Sequence, residues 1–178
     1  MNGEDIKDLI RSIPNFPQPG ILFRDVTTLI GHGEGFAATI DWLANEASLQ
    51  GAEVIVGIEA RGFIFGAPVA AHLGLPFVPL RKSGKLPVEA ISVEYALEYG
   101  VDRLELDPLA IGEGQRVIVI DDLLATGGTA EAAVRLVREA GGVVGHSLFV
   151  IELPDLGGAK KLNQGNVSVS ALMAFNEH

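Results

Sequence analysis

Short runs of apolar residues alternate along the chain with longer stretches whose apolar positions recur every three or four residues. Residues 117–120 form the clearest run, with four β-branched apolar residues in a row, as in a strand buried on both faces of a parallel sheet. Residues 129–140 follow with apolar positions along one helical face. This alternation predicts strand–helix–strand units rather than a helical bundle or a β-sandwich.

The same pattern repeats from residue 54 onward, so we predict an α/β fold. Its core is a parallel five-stranded sheet flanked by helices, within a single domain over residues 1–178. The strands are predicted at 54–58, 77–80, 117–120, 143–151 and 167–172. The helices are predicted at 35–49, 63–73, 129–140 and near 156–162. Ligands of such sheets bind beyond the carboxyl ends of the strands.

Two segments depart from the alternation. Residues 4–13 carry apolar side chains at helical spacing and predict an N-terminal helix, which prolines at 14, 17 and 19 end. Residues 81–108 are polar and charged, and their short period-two patterns predict a hairpin that projects from the sheet. Because residues 88–106 show no clear apolar face, we expect this segment to be a mobile loop that closes over a site.

Composition narrows the class of protein. The formal charge is −10, with 13 basic and 23 acidic residues, which argues against a nucleic-acid partner. The sequence has no cysteine, which fits a reducing compartment. Its acidic start does not resemble a signal peptide, and no uncharged apolar run is long enough for a membrane span. We therefore expect a cytoplasmic protein without a membrane partner.

The segment after the 117–120 strand carries the clearest chemistry. Asp121 and Asp122 come where the strand should end, and a small-residue loop with two glycines leads into the next helix. Backbone N–H groups at such a helix N-terminus favour an anion, while adjacent carboxylates accept hydrogen bonds from hydroxyl groups. The combination predicts a site for a sugar phosphate. It is not a Walker loop, because no Gly-Lys-Ser/Thr follows.

Two further loops supply positive charge at predicted strand ends. Arg61 follows the 54–58 strand and opens a helix, and Arg81, Lys82 and Lys85 follow the 77–80 strand. In isolation each could be a solvated turn. In an acidic chain, however, a dense basic cluster at the ligand-binding edge favours contacts with a second phosphate group.

The wording DDLLATGGT at 121–129 resembles the phosphoribosyl-diphosphate (PRPP) motif of the type I phosphoribosyltransferases, and it looks like their adenine-specific branch. Further matches occur in the expected order between residues 16 and 154. They are FPQPGILFRD at 16–25, ARGFIFG at 60–66, RKSGKLP at 81–87, LEYG at 97–100 and IELP at 151–154.

The resemblance implies the reaction of adenine with PRPP to give AMP and diphosphate, with Mg²⁺ carried on PRPP rather than held directly by the protein. It also implies a homodimer, a small N-terminal hood over residues 1–34 and a mobile catalytic loop over 81–108. In this reading the groups that bind the ribose hydroxyls are Asp121 and Asp122. The 5′-phosphate loop consists of Ala125, Thr126, Gly127, Gly128 and Thr129. The diphosphate ligands are Ala60, Arg61, Arg81, Lys82 and Lys85.

Adenine, by the same resemblance, meets the backbones of Leu22 and Arg24 and the ring of Phe23. The implied catalytic residues are Glu98, for proton transfer on the purine, Tyr99, for covering the site, and Arg61. Other phosphoribosyltransferases, acting on xanthine, hypoxanthine/guanine or orotate, remain alternatives. A regulator that only senses PRPP is a further alternative, although the roughly fifty residues before the first sheet strand carry no basic recognition helix.

Overall fold

A computed structural model of the chain describes residues 1–97 and 99–176. The strands are β1 (Arg11–Pro14), β2 (Leu22–Asp25), β3 (Val54–Ile58), β4 (Phe77–Lys82), β5 (Ile91–Ala96), β6 (Val101–Leu106), β7 (Arg116–Leu124), β8 (Val143–Glu152) and β9 (Ser168–Ala174). The α-helices are α1 (Gly3–Lys7), α2 (Thr27–Ile30), α3 (Gly33–Leu49), α4 (Arg61–Leu73), α5 (Gly128–Glu139) and α6 (Gly158–Gln164). Short 3₁₀ turns lie at Pro108–Ala110 and Pro154–Leu156.

The main sheet has the strand order β5-β6-β4-β3-β7-β8-β9. Five adjacent strands pair in parallel, in the order β4-β3-β7-β8-β9, which confirms the predicted five-stranded parallel core. Neighbouring residues of β3 face opposite sides: Val56 joins a core that includes Leu136 of α5, whereas Ile55 joins a core that includes Phe65 of α4. Helices on both faces explain why the central strands are apolar at consecutive positions.

None of the helices within 1–97 and 99–176 is long and apolar enough to cross a membrane.

The N-terminal region differs from its prediction. A capping box between Asn2 and Asp5 stabilises the first turn of the helix, and the helix ends at Lys7. Residues 11–14 form β1 instead of continuing the helix. β1 pairs antiparallel with β2 in a separate two-stranded sheet. The prediction of a helix over 4–13 was therefore wrong for its second half, because pairing with a distant strand overrode the local helical spacing.

Asp25 at the end of β2 holds this small sheet to the following helix. Its buried carboxylate accepts hydrogen bonds from Arg11 Nε at 3.1 Å, from Thr27 N–H at 2.9 Å and from Thr27 Oγ1 at 2.7 Å. These bonds, led by those from Thr27 and followed by those from Arg11, lower the pKa of Asp25 from 3.8 to about 2. The charged carboxylate therefore stabilises the folded hood.

We expect Asp25→Asn to destabilise the protein by about 1–2 kcal/mol at neutral pH, since it removes charge-assisted hydrogen bonds at a buried position. For a chain of this size that corresponds to a fall in Tm of roughly 2–8 °C. Because the folded-state pKa is depressed, the contribution is complete above the unfolded value of 3.8 and is lost as the pH falls towards about 2.

Thermal unfolding of the wild type and the variant across that pH range checks this prediction. Asp41→Asn, at an exposed position of α3, is the control and should leave Tm unchanged. A gap between wild type and Asp25→Asn that stays constant down to the lowest pH would contradict the assignment.

The predicted hairpin exists, as β5 and β6, but it does not project from the sheet. β6 pairs antiparallel with the end of β4 through Arg81 and Lys82, so the hairpin extends the sheet to seven strands. The expectation that residues 88–106 lack a buried face was also wrong. Four side chains of the hairpin are at most 7% exposed, namely Val93, Tyr95, Leu104 and Leu106. Helix α5 packs against both hairpin strands and supplies the missing apolar partner.

Candidate functional site

The acid pair lies on β7 just beyond the point where β7 stops pairing with β3. β7 continues to Leu124, four residues beyond the predicted end of the strand, because it stays paired with β8 as far as Glu152. The pairing of β7 with β3, in contrast, ends at Ile120. Asp121 and Asp122 therefore extend past the carboxyl end of β3, at the edge where parallel sheets bind ligands.

The N-terminus of α4 approaches this edge closely. A Cβ atom at Gly62 would lie 3.0 Å from both Asp121 Oδ1 and the Ile120 carbonyl oxygen, so the approach requires a glycine. The preceding residue, Arg61, donates through Nε to Asp122 Oδ2 at 2.6 Å. The Asp122 charge raises the pKa of Arg61, with smaller contributions from Asp121 and Asp25.

Asp121 and Asp122 differ in their surroundings. The Asp122 side chain is 9% exposed and is neutralised by Arg61. For Asp121, burial and the neighbouring Asp122 carboxylate raise the pKa well above its ordinary value. A raised pKa makes the second carboxyl group easier to neutralise, which reduces the repulsion between the pair and a phosphorylated ligand.

The loop after β7 forms an anion site at the N-terminus of α5. Gly127 caps the helix with φ of 88°, and a Cβ atom there would lie 3.0 Å from Gly158 Cα. Backbone N–H groups at the start of the helix have no partner within the helix and favour a phosphate group. The loop encloses a cavity of about 230 Å³. Its lining includes Arg61, Asp121, Asp122, Ala125, Thr126, Gly127, Gly128 and Thr129.

The predicted basic cluster carries its own counterion. Glu59, directly after β3, accepts hydrogen bonds from Arg81 Nε at 2.9 Å and from Lys82 N–H at 3.0 Å, and it also contacts Lys85 Nζ. Burial would raise the pKa of Glu59, but the hydrogen bonds from Lys85, Arg81 and the Lys82 backbone lower it to about 2. Arg81 and Lys85 thus converge on the carboxylate of Glu59, which precedes Arg61 by two residues in the sequence.

Lys82 points towards the hairpin rather than towards Glu59. Its Nζ atom lies 2.8 Å from Tyr95 Oη and 2.7 Å from Asp102 Oδ2. The Asp102 pKa is lowered chiefly by the hydrogen bond from Lys82. Burial would lower the pKa of Lys82, yet hydrogen bonds with Asp102 and Tyr95 raise it overall. The predicted diphosphate ligands therefore divide into two groups in this structure.

The predicted base-binding segment lies on β2 of the hood. The Phe23 ring is half-buried and meets Phe16 edge-to-face at 5.1 Å between centroids. Leu22 pairs with Pro14, which has no N–H, and the Ile21 carbonyl accepts from Phe16 N–H at 3.2 Å. Backbone groups alternate sides along a strand, so the carbonyl of Leu22 and the N–H of Arg24 face away from β1. They therefore lie at the edge of β2 that is opposite β1.

The hairpin tip completes the set of predicted residues. The Tyr99 side chain is 78% exposed. Glu98 lies outside the described residues, so its predicted role stays a prediction. Ala60 is exposed, immediately before α4 and beside Arg61.

Glu59, Tyr95 and Asp102 also belong to the site, although the sequence pattern did not predict them. Glu59 did carry a signal, because it is an acid directly after the predicted strand 54–58, just as Asp121 directly follows the predicted strand 117–120. The Tyr95 and Asp102 contacts depend on hairpin register, which their spacing did not reveal.

At one edge of the parallel sheet, an acid pair, an arginine and a glycine-rich anion loop lie around one cavity. This arrangement defines a protein that binds a phosphorylated sugar. A family profile described as "Phosphoribosyl transferase domain" matches residues 28–161. An adenine phosphoribosyltransferase of Novosphingobium aromaticivorans is 61% identical over 178 residues, which is 100% of both chains.

Solved structures agree with that sequence match. The crystal structure of adenine phosphoribosyltransferase from Thermoanaerobacter pseudethanolicus has a TM-score of 0.93 and 47% identity, covering 98% of this chain and 100% of that one. The Saccharomyces cerevisiae enzyme, complexed with D-2,5-dideoxy-2,5-imino-altritol 1,6-bisphosphate and adenine, has a TM-score of 0.88 and 40% identity, covering 96% and 97%. The chain belongs to the phosphoribosyl transferase family and, within it, to the adenine phosphoribosyltransferases, pentosyltransferase enzymes that form AMP and diphosphate from adenine and PRPP.

Proposed function

We propose that this chain transfers the 5-phosphoribosyl group of PRPP to adenine at the cavity lined by the end of β7, the N-terminus of α5 and Arg61. The observation that carries the proposal is the meeting of Arg61, the acid pair and the 125–129 loop around that cavity. Each group matches one part of PRPP. The helix N-terminus suits the 5′-phosphate, the carboxylates suit the ribose hydroxyls, and the arginine suits the diphosphate.

In this proposal the 5′-phosphate accepts hydrogen bonds from the backbone at 125–129, while Asp121 and Asp122 accept from the ribose hydroxyls. The diphosphate lies between Arg61, beside the backbone of Ala60, and the cationic loop at 81–85. Bound Mg²⁺ travels with PRPP and neutralises part of the charge on the diphosphate. The hydrogen bond from Arg61 to Asp122 supports this mode, because it engages a carboxylate that could otherwise bind the metal ion directly.

The anomeric carbon loses diphosphate through an oxocarbenium-like transition state, as in other glycosyl transfers. The cations stabilise the leaving group as its negative charge develops, and they are placed before the reaction begins. Glu98 is proposed to handle the proton of the purine, and Tyr99 to cover the site once substrates are bound. Tyr99 lies between β5 and β6, in the turn of the hairpin.

Adenine is proposed to bind at the edge of β2 opposite β1. The carbonyl of Leu22 accepts a hydrogen bond from the exocyclic amine, the N–H of Arg24 donates to N1, and the ring of Phe23 packs against the purine. The bound adenine of the yeast relative supports a base subsite in this fold.

Formation of AMP and diphosphate from adenine, PRPP and Mg²⁺ tests the proposed function directly. Both products should appear in equal amounts, and omission of any of the three components should abolish turnover. Binding of PRPP without product formation from any base would instead favour the sensor alternative.

We expect Arg81→Ala to weaken PRPP and diphosphate binding by about 10- to 100-fold, because one charge-assisted contact is removed from the diphosphate end. AMP carries no diphosphate, so its affinity should change less than threefold. Calorimetry with PRPP, diphosphate and AMP measures all three affinities. Equal losses for PRPP and AMP would show that the cluster lies at the wrong end of the substrate.

A homodimer and a cytoplasmic location complete the proposal. The dimer is implied by the family resemblance, and light scattering on the purified chain measures its mass. The absence of cysteine from the sequence supports a reducing compartment.

A further inference from the structure

Glu59 is an acid with little of its side chain exposed, and it lies inside the proposed diphosphate site of an enzyme that must bind a polyanion. Its side chain is 9% exposed, and it lies at the end of β3, where its N–H donates to the Leu80 carbonyl at 3.0 Å. A carboxylate at this position repels diphosphate directly. Its presence therefore needs an explanation in terms of what it does to its neighbours.

The hydrogen bonds of Glu59 leave the outer ends of the cations available. Arg81 donates through Nε, and within residues 1–97 and 99–176 its two terminal nitrogens make no hydrogen bond, so they can approach a ligand in a fixed plane. Lys85 has 50% of its side chain exposed, and Nζ carries three donors, of which Glu59 uses one. Glu59 thus binds one side of each cation and leaves the other side of each cation facing the site.

The carboxylate also sets the path of the loop between the two cations. Its bond to Lys82 N–H fixes the backbone where β4 ends. The loop then turns at Gly84, with φ of 78°, whose N–H donates to Glu105 Oε1 at 2.6 Å, before Lys85 returns to Glu59. Arg81 and Lys85 are long side chains that would otherwise lose considerable rotamer freedom when diphosphate binds.

We infer that Glu59 is a positioning residue, which aligns Arg81 and Lys85 for the diphosphate of PRPP before the substrate arrives. This inference rests on the proposed function for the identity of the ligand. The arrangement trades some electrostatic repulsion for preorganised donors. The balance favours preorganisation because Glu59 is already shared among three hydrogen bonds, so little of its charge remains uncompensated.

Glu59→Gln tests the inference, because glutamine keeps the size and one acceptor oxygen but cannot hold two cations by charge. We expect the affinity for diphosphate and the KM for PRPP both to worsen by about tenfold or more, while AMP affinity stays within twofold. Glu59→Asp keeps the charge on a shorter side chain and should recover part of the loss.

Glu53→Gln is the matched control. Glu53 precedes β3 as Glu59 follows it, and it is likewise paired with an arginine, accepting from Arg116 N–H at 3.0 Å. It lies at the opposite end of the strand, so its removal should leave diphosphate, PRPP and AMP binding unchanged. Calorimetry with diphosphate and with AMP, each in the presence of Mg²⁺, makes the comparison without turnover.

Each result is decisive. Tighter diphosphate binding by Glu59→Gln would overturn the inference and show that Glu59 acts as a competitor for the cations. Unchanged binding, or equal losses for diphosphate and AMP, would reduce Glu59 to a structural role. A wild-type chain that binds diphosphate but makes no AMP would refute the proposed function and leave the measurement on Glu59 valid.

Discussion

Adenine will be used with a kcat/KM about 10⁴-fold higher than that for hypoxanthine, guanine or xanthine. The carbonyl of Leu22 and the N–H of Arg24 face the edge of β2 opposite β1, so they offer an acceptor and a donor two residues apart. Adenine presents the complementary amine and N1 acceptor. A 6-oxo purine would set an oxygen against the carbonyl and an N1–H against the N–H. Two such mismatches at buried contacts cost roughly 1–3 kcal/mol each, and loss of the correct bonds adds to that.

Steady-state assays with the four bases at saturating PRPP and Mg²⁺ measure this ratio. Since both contacts are made by the backbone, Leu22→Met is a suitable control and should leave the ratio within about threefold. If any 6-oxo purine comes within tenfold of adenine, the β2 edge does not select the base. The role of the PRPP site would survive that outcome.

Gly127→Val is expected to reduce PRPP affinity by about 10³-fold, through loss of two or more charge-assisted hydrogen bonds of roughly 1.5–3 kcal/mol each. Gly127 has φ of 88°, where a β-branched residue is strained, and its new side chain would meet the Gly158 backbone at 3.0 Å. The loop must then move away from the helix N-terminus that holds the 5′-phosphate. AMP affinity should fall in parallel, because AMP has the same 5′-phosphate.

Gly114→Val is the control for backbone strain. Gly114 has φ of 75°, but no heavy atom of the described residues lies within 4 Å of the added Cβ. It precedes β7 at the opposite end of the strand. Calorimetry should show wild-type PRPP affinity for this variant despite some loss of stability. Retention of PRPP affinity by Gly127→Val, or loss of PRPP affinity without loss of AMP affinity, would contradict the position of the phosphate.

Parts of the site that depend on consecutive residues could be predicted from the sequence. The acid pair, the glycine loop and the start of α5 occupy one stretch of chain, so their order implied their proximity. The two basic loops could be placed near them because both follow parallel strands, whose carboxyl ends share one edge. The counterions of Arg81 and Lys82 could not be predicted from the sequence. Glu59 lies 22 residues from Arg81, and Asp102 lies 20 residues from Lys82.

The positions of the central strands and helices followed from local periodicity, because a residue buried on both faces must be apolar whatever its neighbours are. The N-terminal region and the hairpin depended on partners elsewhere in the chain. Residues 11–14 became a strand because β2 was available to pair with them, and β5 and β6 gained a buried face because α5 covers them. Hydrogen-bond pairing and charge neutralisation act between groups that folding brings together, so these features were decided in three dimensions.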